Sequence, residues 1–274
     1  MRCRHHLLVL SLLAAWTACT TVPGTGRTAF NLYTDVETQM QLGAEAYPEL
    51  LADEALITSG PEYEMVQRVG RRIARAAKRL FPESGAREFE WEFSLVDNDE
   101  VVNAWALPGG KCAVYTGLFQ VAPDEESLAA VLGHEVGHAI AMHGTERMSQ
   151  NTMLSAVLAG TSVALGDMDP QDRELALQAL TGVASVGALL PFSRKHEAEA
   201  DEIGIYLAAD AGYDPRAALG LWQRMARLGG DRPPEWLSTH PSEASRIENL
   251  QKRMPKALRL YRQAKKRRED PDQG

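Results

Sequence analysis

The chain has 274 residues, 45% of them hydrophobic, and a formal net charge of −8. A chain of this length buries one good core with appendages, and the acidic sum excludes a nucleic-acid partner, because phosphate binding needs a basic face. Cys3, Cys19 and Cys112 leave no internal disulfide once a leader carries off the first and a modification takes the second, so the fold must stand on its packing.

Residues 1–19, "MRCRHHLLVLSLLAAWTAC", place two arginines before an apolar run from Leu7 to Trp16 and then small residues. That order is the plan of a secretory signal peptide, and the run is too short for a permanent span. The small residues before Cys19 resemble a bacterial lipobox, although Trp16 stands where that pattern usually has leucine. The expectation is a protein of the bacterial periplasm, anchored to the outer membrane by lipid on Cys19. Residues 20–34, containing "TTVPGTGRT", read as a flexible leader.

A domain is expected from 35 to 255. Asp35 to Leu80 carries apolar residues three and four apart in two stretches separated by "TSGPE", which predicts two helices. The arginines from Arg71 to Arg79 look like a solvated helix side. "FEWEFSLVDN" then alternates Phe89, Trp91, Phe93 and Leu95 as a half-buried strand does, and "KCAVYTGLF" after the turn "LPGG" reads as another, giving a small antiparallel sheet. "DEESLAAVLGHEVGHAIAMHG" predicts a long helix with acids in its first turn and Gly144 as its stop. From Met153 to Phe192 the alanine- and glycine-rich composition predicts a buried or mobile helical hairpin rather than a membrane insertion. "SRKHEAEADEIGIYLAADAGY" and "PRAALGLWQRMARL" predict two more helices, and a last one starts at Pro241 and Ser242. Residues 256–274 form a basic C-terminal tail. The fold class is α+β, mainly α, with the small sheet packed on the histidine-bearing helix.

That helix carries the chemistry. His134 and His138 are four apart, so their rings are offset by about 40° and one turn and can converge on one ion. Glu135 between them completes H-E-x-x-H, the spacing in which zinc takes two imidazoles and the glutamate acts as general base. His143 lies five residues beyond His138, rotated about 140° on a continuing helix, and suits helix-end packing or hydrogen bonding better than the same ion. The third ligand must come from elsewhere, and "SRKHEAEADEIG" offers Glu197, Glu199, Asp201 and Glu202. Glu197 and Asp201 share a helix face, so one can bind metal while the other holds a ligand histidine. Spacing does not choose between them, nor does it separate the four from ordinary surface acids.

Taken together, "LGAEAYPELL", "NAWALPGGKCAVYTGL", "LAAVLGHEVGHAIAMHG", "SRKHEAEADEIG" and "HPSEASR" resemble the zinc metallopeptidase family of HtpX and the CAAX prenyl endopeptidases, closest to its soluble periplasmic branch. The resemblance implies a zincin-like domain, one Zn2+ held by His134, His138 and Glu197, and Glu135 as catalytic base. It implies that Asp201 supports the ligands and that His240 and Arg246, in an H-P-x-x-x-x-R element, lie beside the metal. In that branch the histidine can take the fourth zinc position, and either His240 or Arg246 is a candidate to stabilise the oxyanion. The strongly hydrophobic spans of the integral members are missing, which argues against prenylated substrates. The function implied is quality control of unfolded or misassembled envelope proteins. The alternative is a chaperone that works with the outer-membrane assembly machinery and keeps its protease activity latent. Substrate is expected to add as a strand along "GGKCAVYTG", at Ala113, Val114 and Tyr115.

Overall fold

The computed structural model describes residues 19–164, 169, 171, 193–228, 235–240 and 244–269. The expected signal peptide up to residue 18 and the part of the expected hairpin between 165 and 192, apart from 169 and 171, lie outside them.

Helix starts follow local capping chemistry. Helix α1, Val36–Leu51, opens at Asp35, whose carboxylate accepts the Thr38 N–H at 2.8 Å. Helix α2, Pro61–Leu80, has proline at its start, acids in its first turn and Lys78 and Arg79 in its last. Helix α3, Glu125–Ile140, begins with a capping box between Asp124 and Ser127. After residue 193 come α5, Arg194–Asp210, opened by the Ser193 hydroxyl on the His196 N–H, then α6, Ala217–Leu228, and α7, Glu235–Thr239.

The chain does not run on helically through "AIAMHG". Met142 adopts a left-handed φ of 59°, and helix α4, His143–Ala164, starts at once in a new direction. Gly144, expected as the stop, is instead inside α4. The break carries His143 back toward α3 instead of around a continuing helix.

The main sheet contains β3 (Leu56–Ile57), β4 (Glu92–Val96), β5 (Ala104–Ala106) and β6 (Lys111–Tyr115), in the order β3-β4-β6-β5. The expected antiparallel sheet is therefore mixed, since β4 and β6 are parallel while the other two pairings are antiparallel. The cause is the route of the chain: between β4 and β6 it passes through β5, which pairs on the far side of β6. Val66, Val69 and Ile73 of α2, Leu128, Leu132 and Val136 of α3, Ile203 and Leu207 of α5, and Leu95 and Val114 of the sheet share one core. Every residue of α3 from Ser127 to Ile140 is buried, so this helix has no solvent face and its polar side chains must find partners inside.

Glycines set how closely α3 and α5 pack. A Cβ on Gly133 would lie 2.6 Å from the Gly204 carbonyl oxygen, and one on Gly204 would lie 2.7 Å from the His134 nitrogen. Gly137 approaches the Ala200 carbonyl in the same way, at 2.8 Å. Backbone thus meets backbone across the crossing, and the side chains of residues 134 and 138 face those of 197 and 201.

Two boundaries differ from the sequence reading. The expected flexible leader forms a hairpin of β1 (Cys19–Thr21) and β2 (Thr28–Phe30). It is pinned by Arg27, which donates to Glu146 at 2.7 Å and to Glu199 at 2.6 Å. The expected basic tail is the second half of one helix, α8, Ala244–Glu269, which crosses residue 256 without a break and buries Ala257 and Ala264. No helix among the described residues is long and apolar enough to cross a membrane.

Candidate metal centre

His134, His138, Glu197 and His240 offer one ligand atom each, all within 4.8 Å of one another, and all four are buried. Two helices supply the set in pairs four residues apart, α3 the histidines and α5 Glu197 with its supporting Asp201, while His240 follows α7. His138 Nε2 lies 3.1 Å from His134 Nε2, and His240 Nδ1 lies 3.2 Å from His134 Nε2 and 3.0 Å from Glu197 Oε1. The Glu197 oxygens are 3.5 and 3.4 Å from the two ring nitrogens of α3. Donors bound to one tetrahedral zinc at about 2.0–2.1 Å stand about 3.3 Å from each other, so the residues present fit such an ion.

The protons point the same way. His134 Nδ1 faces Asp201 Oδ1 at 3.0 Å, and His138 Nδ1 faces His143 Nδ1 at 2.9 Å, with His143 Nε2 in turn 3.1 Å from Glu199. With both Nδ1 atoms committed as donors, the two Nε2 lone pairs meet and need a cation or a proton between them. Burial alone would lower the His134 pKa, but the carboxylates of Asp201 and Glu197 hold it up at about 9. Burial holds His138 well below the ordinary histidine value. Glu197 stays far below the usual carboxylate range: burial opposes this, and hydrogen bonds from His134, His138 and His240 prevail.

Arg246 is committed elsewhere than the oxyanion role considered for it. Its Nε and Nη2 donate to the Asp201 carboxylate at 2.8 and 2.7 Å, its Nη1 is 2.6 Å from Glu197 Oε2, and its guanidinium lies 3.6 Å over the Trp222 ring. Its Nε, Nη1 and Nη2 all reach the carboxylates that hold the cluster, so Arg246 is a positioning group.

The strand expected to receive substrate is not an edge. β6 pairs with β4 on one side and β5 on the other; Ala113 and Val114 are fully buried, and Tyr115 donates its hydroxyl to Glu54. Its backbone groups are spent on the ladder and cannot take up a peptide.

Sequence reasoning missed four participants. Trp236 donates its indole N–H to Glu135 Oε1 at 2.7 Å, and His240 Nε2 lies 3.7 Å from the same oxygen, so the turn that brings His240 also covers Glu135. Thr25 and Arg27 hold Glu199, which holds His143, which holds His138. Glu146 joins them, accepting from Arg27 and lying 3.2 Å from His196. Those partners stand fifty or more residues away in sequence, and no local pattern announces them.

Comparison with known proteins agrees with this geometry. Residues 63–254 match Peptidase family M48. The chain is 33% identical over 241 residues to the mitochondrial metalloendopeptidase OMA1 of Schizosaccharomyces pombe, covering 86% of this chain and 66% of that protein. It is 40% identical to the OMA1 of Arabidopsis thaliana over 63% of this chain and 34% of that one. With the beta-barrel assembly-enhancing protease of Escherichia coli K12 it shares 29% identity over 90% of this chain and 52% of that one. The chain thus spans between a third and two thirds of the length of these curated relatives. It belongs to peptidase family M48.

Proposed function

We propose that the chain is a zinc-dependent endopeptidase of the bacterial periplasm, tethered to the outer membrane through lipid on Cys19, that cleaves unfolded or misassembled envelope proteins. The observation that carries this is the placement of Glu135, buried one residue along from His134 and beside a converging set of three imidazoles and one carboxylate. Zinc, when bound, supplies the positive charge that acidifies water and polarises a peptide carbonyl. Glu135 takes the proton of the attacking water and hands it to the leaving amine. Asp201 fixes the His134 tautomer, and Arg246 holds Asp201 and Glu197 in register. The test is hydrolysis of casein and of an unfolded outer-membrane protein by the purified chain and by Glu135→Gln. The variant should retain zinc and lose cleavage; turnover equal to wild type sinks the base assignment.

The outer edge of β5 suits the incoming peptide. The Leu107 N–H and the Asn103 carbonyl bond to β6, so by alternation Trp105 faces β6 while the backbone groups of Ala104 and Ala106 face away from it. The Ala104 N–H is covered by its neighbour, the Asn103 Oδ1, at 2.9 Å. This edge packs against α3. Proline at Ala106 removes an outward N–H without touching the ladder, so cleavage should fall more than stability; equal losses count against the edge.

A second reading has its own support. His240 Nδ1 fills a donor position in the cluster while Trp236 occupies Glu135, an arrangement that suits an enzyme latent at rest and active as an assembly factor. One relative is named as a protease that enhances β-barrel assembly. Latency predicts that His240→Ala gains hydrolysis and that Glu135→Gln still protects a folding β-barrel client. Lost hydrolysis in the first variant argues against it.

A further inference from the structure

The arginines of α2 are largely solvated, as expected, with Arg71, Arg75 and Arg79 exposed and Arg72 half-buried, but they do not stand alone. Arg72, Arg75 and Arg79 follow one helix face and line a cleft of about 320 Å³ with Arg267 and Arg268 of α8 and with Asp210 and Ala211 at the end of α5. Five guanidinium groups share this lining with a single carboxylate.

Three of the five have structural work. Arg72 Nε donates to the Ala211 carbonyl at 2.9 Å, and its Nη1 is 3.8 Å from Glu125, a carboxylate already held by Arg68. Arg79 donates to Asp210 at 2.9 and 2.6 Å, and Arg267 reaches the other oxygen of that carboxylate. These contacts close the C-terminal end of α5, where unsatisfied carbonyls attract cations. They use up Asp210. Arg75 and Arg268 are exposed, and among the described residues neither has an ion-pair partner.

The surplus charge gathers at one point. Gly212, at φ 81°, has no side chain, and a Cβ there would lie 3.0 Å from Arg72 Nη2 and 3.3 Å from Arg268 Nη1. Two like charges therefore approach one another over Gly212, at the wall of the cleft. Burial lowers the Arg72 pKa, and the nearby Arg268 adds to that. An anion with several acceptor oxygens would remove the repulsion and match the planar guanidinium forks. A volume equal to about ten waters holds a phosphate together with a small substituent.

We propose that this arginine cleft binds a phosphate group, either free or carried by an anionic phospholipid headgroup. The site shares no residue with the metal centre and stands whether or not the catalytic reading does. The test uses the full chain with two variants, Arg75→Ala/Arg268→Ala, which spares the arginines that close α5, and Arg259→Ala/Arg262→Ala as a control of equal charge on the same helix. Calorimetric titration with inorganic phosphate and glycerol phosphate is compared with cosedimentation on phosphatidylglycerol and phosphatidylcholine vesicles. The cleft variant should weaken glycerol phosphate binding at least about tenfold, with zinc content and casein hydrolysis unchanged, while the control binds as wild type does. Loss of phosphatidylglycerol binding in the same variant identifies a headgroup as the source. Unchanged vesicle binding beside lost glycerol phosphate binding identifies a soluble phosphate. No binding of either phosphate by wild type, or equal losses in both variants, overturns the proposal.

Discussion

Asparagine in place of Asp201 measures how much of the metal site is built behind the donor atoms. Asp201 is 5% exposed and accepts from Arg246 at 2.8 and 2.7 Å and from His134 at 3.0 Å. Asparagine keeps an oxygen for the His134 N–H, so the tautomer survives, but its amide nitrogen then meets the Arg246 donors and a negative charge is gone. Breaking a buried pair by removing one partner costs about 3–5 kcal/mol. Glu197 still holds Arg246 at 2.6 Å, which leaves about 2–3 kcal/mol for the metal-free protein. Loss of such support lowers metal affinity about 10- to 100-fold. Urea unfolding of metal-free protein gives the first number, and competition with a chromophoric zinc chelator gives the second. Asp214→Asn, which breaks the more exposed pair with Arg216, should change stability by about 0.5 kcal/mol or less and leave zinc binding untouched. An Asp201→Asn protein that loses stability yet binds zinc as tightly as wild type would show that Asp201 serves the fold and not the metal.

Gly204→Ala forces a methyl into the 2.7 Å approach to His134 and should cost about 1–3 kcal/mol; separation of α3 and α5 should weaken zinc binding with it, and unchanged affinity would mean the crossing does not set the site. Trp236→Phe removes the indole N–H from Glu135 while keeping the stacking on Trp222, and casein cleavage should rise if that contact holds the base at rest; a fall would assign Trp236 to the active state. The hairpin makes an acid-stability prediction. Burial would raise the Glu146 pKa, but hydrogen bonds from His196 and Arg27 bring it down to about 2. A carboxylate depressed in the folded state stabilises above its unfolded value of 4.5 and loses that contribution as pH falls toward 2. The stability difference between wild type and Arg27→Ala should therefore be full near neutral pH and shrink between those two values, whereas a difference constant with pH would leave Arg27 a packing role only.

Much of the centre was legible because helices repeat. Two histidines four apart and two acids four apart each define a face, and the structure sets those faces opposite one another. What spacing could not choose, ligand against supporting acid, depends on where Arg246 and His240 arrive from residues forty and more positions downstream. Helical periodicity also misled at Met142, where one left-handed residue redirects His143 onto His138. The strand reading found β4 and β6 but not their neighbours, because β3 and β5 are two and three residues long and pairing order is not written in alternation. Without β5 in view, β6 looked like an edge. The N-terminal stretch read as a leader because its turn residues are polar and its strands short; Thr25 and Arg27 gain their purpose only from Glu146 and Glu199 far along the chain.

The central claim is that one zinc ion sits among His134, His138 and Glu197. A crystal of the purified chain, measured on both sides of the zinc absorption edge, tests it directly. The account predicts one anomalous peak per chain, within coordination distance of both Nε2 atoms and a Glu197 oxygen, and its disappearance in Glu197→Ala. A peak bounded by other residues, or a peak that persists at full height in that variant, would contradict it.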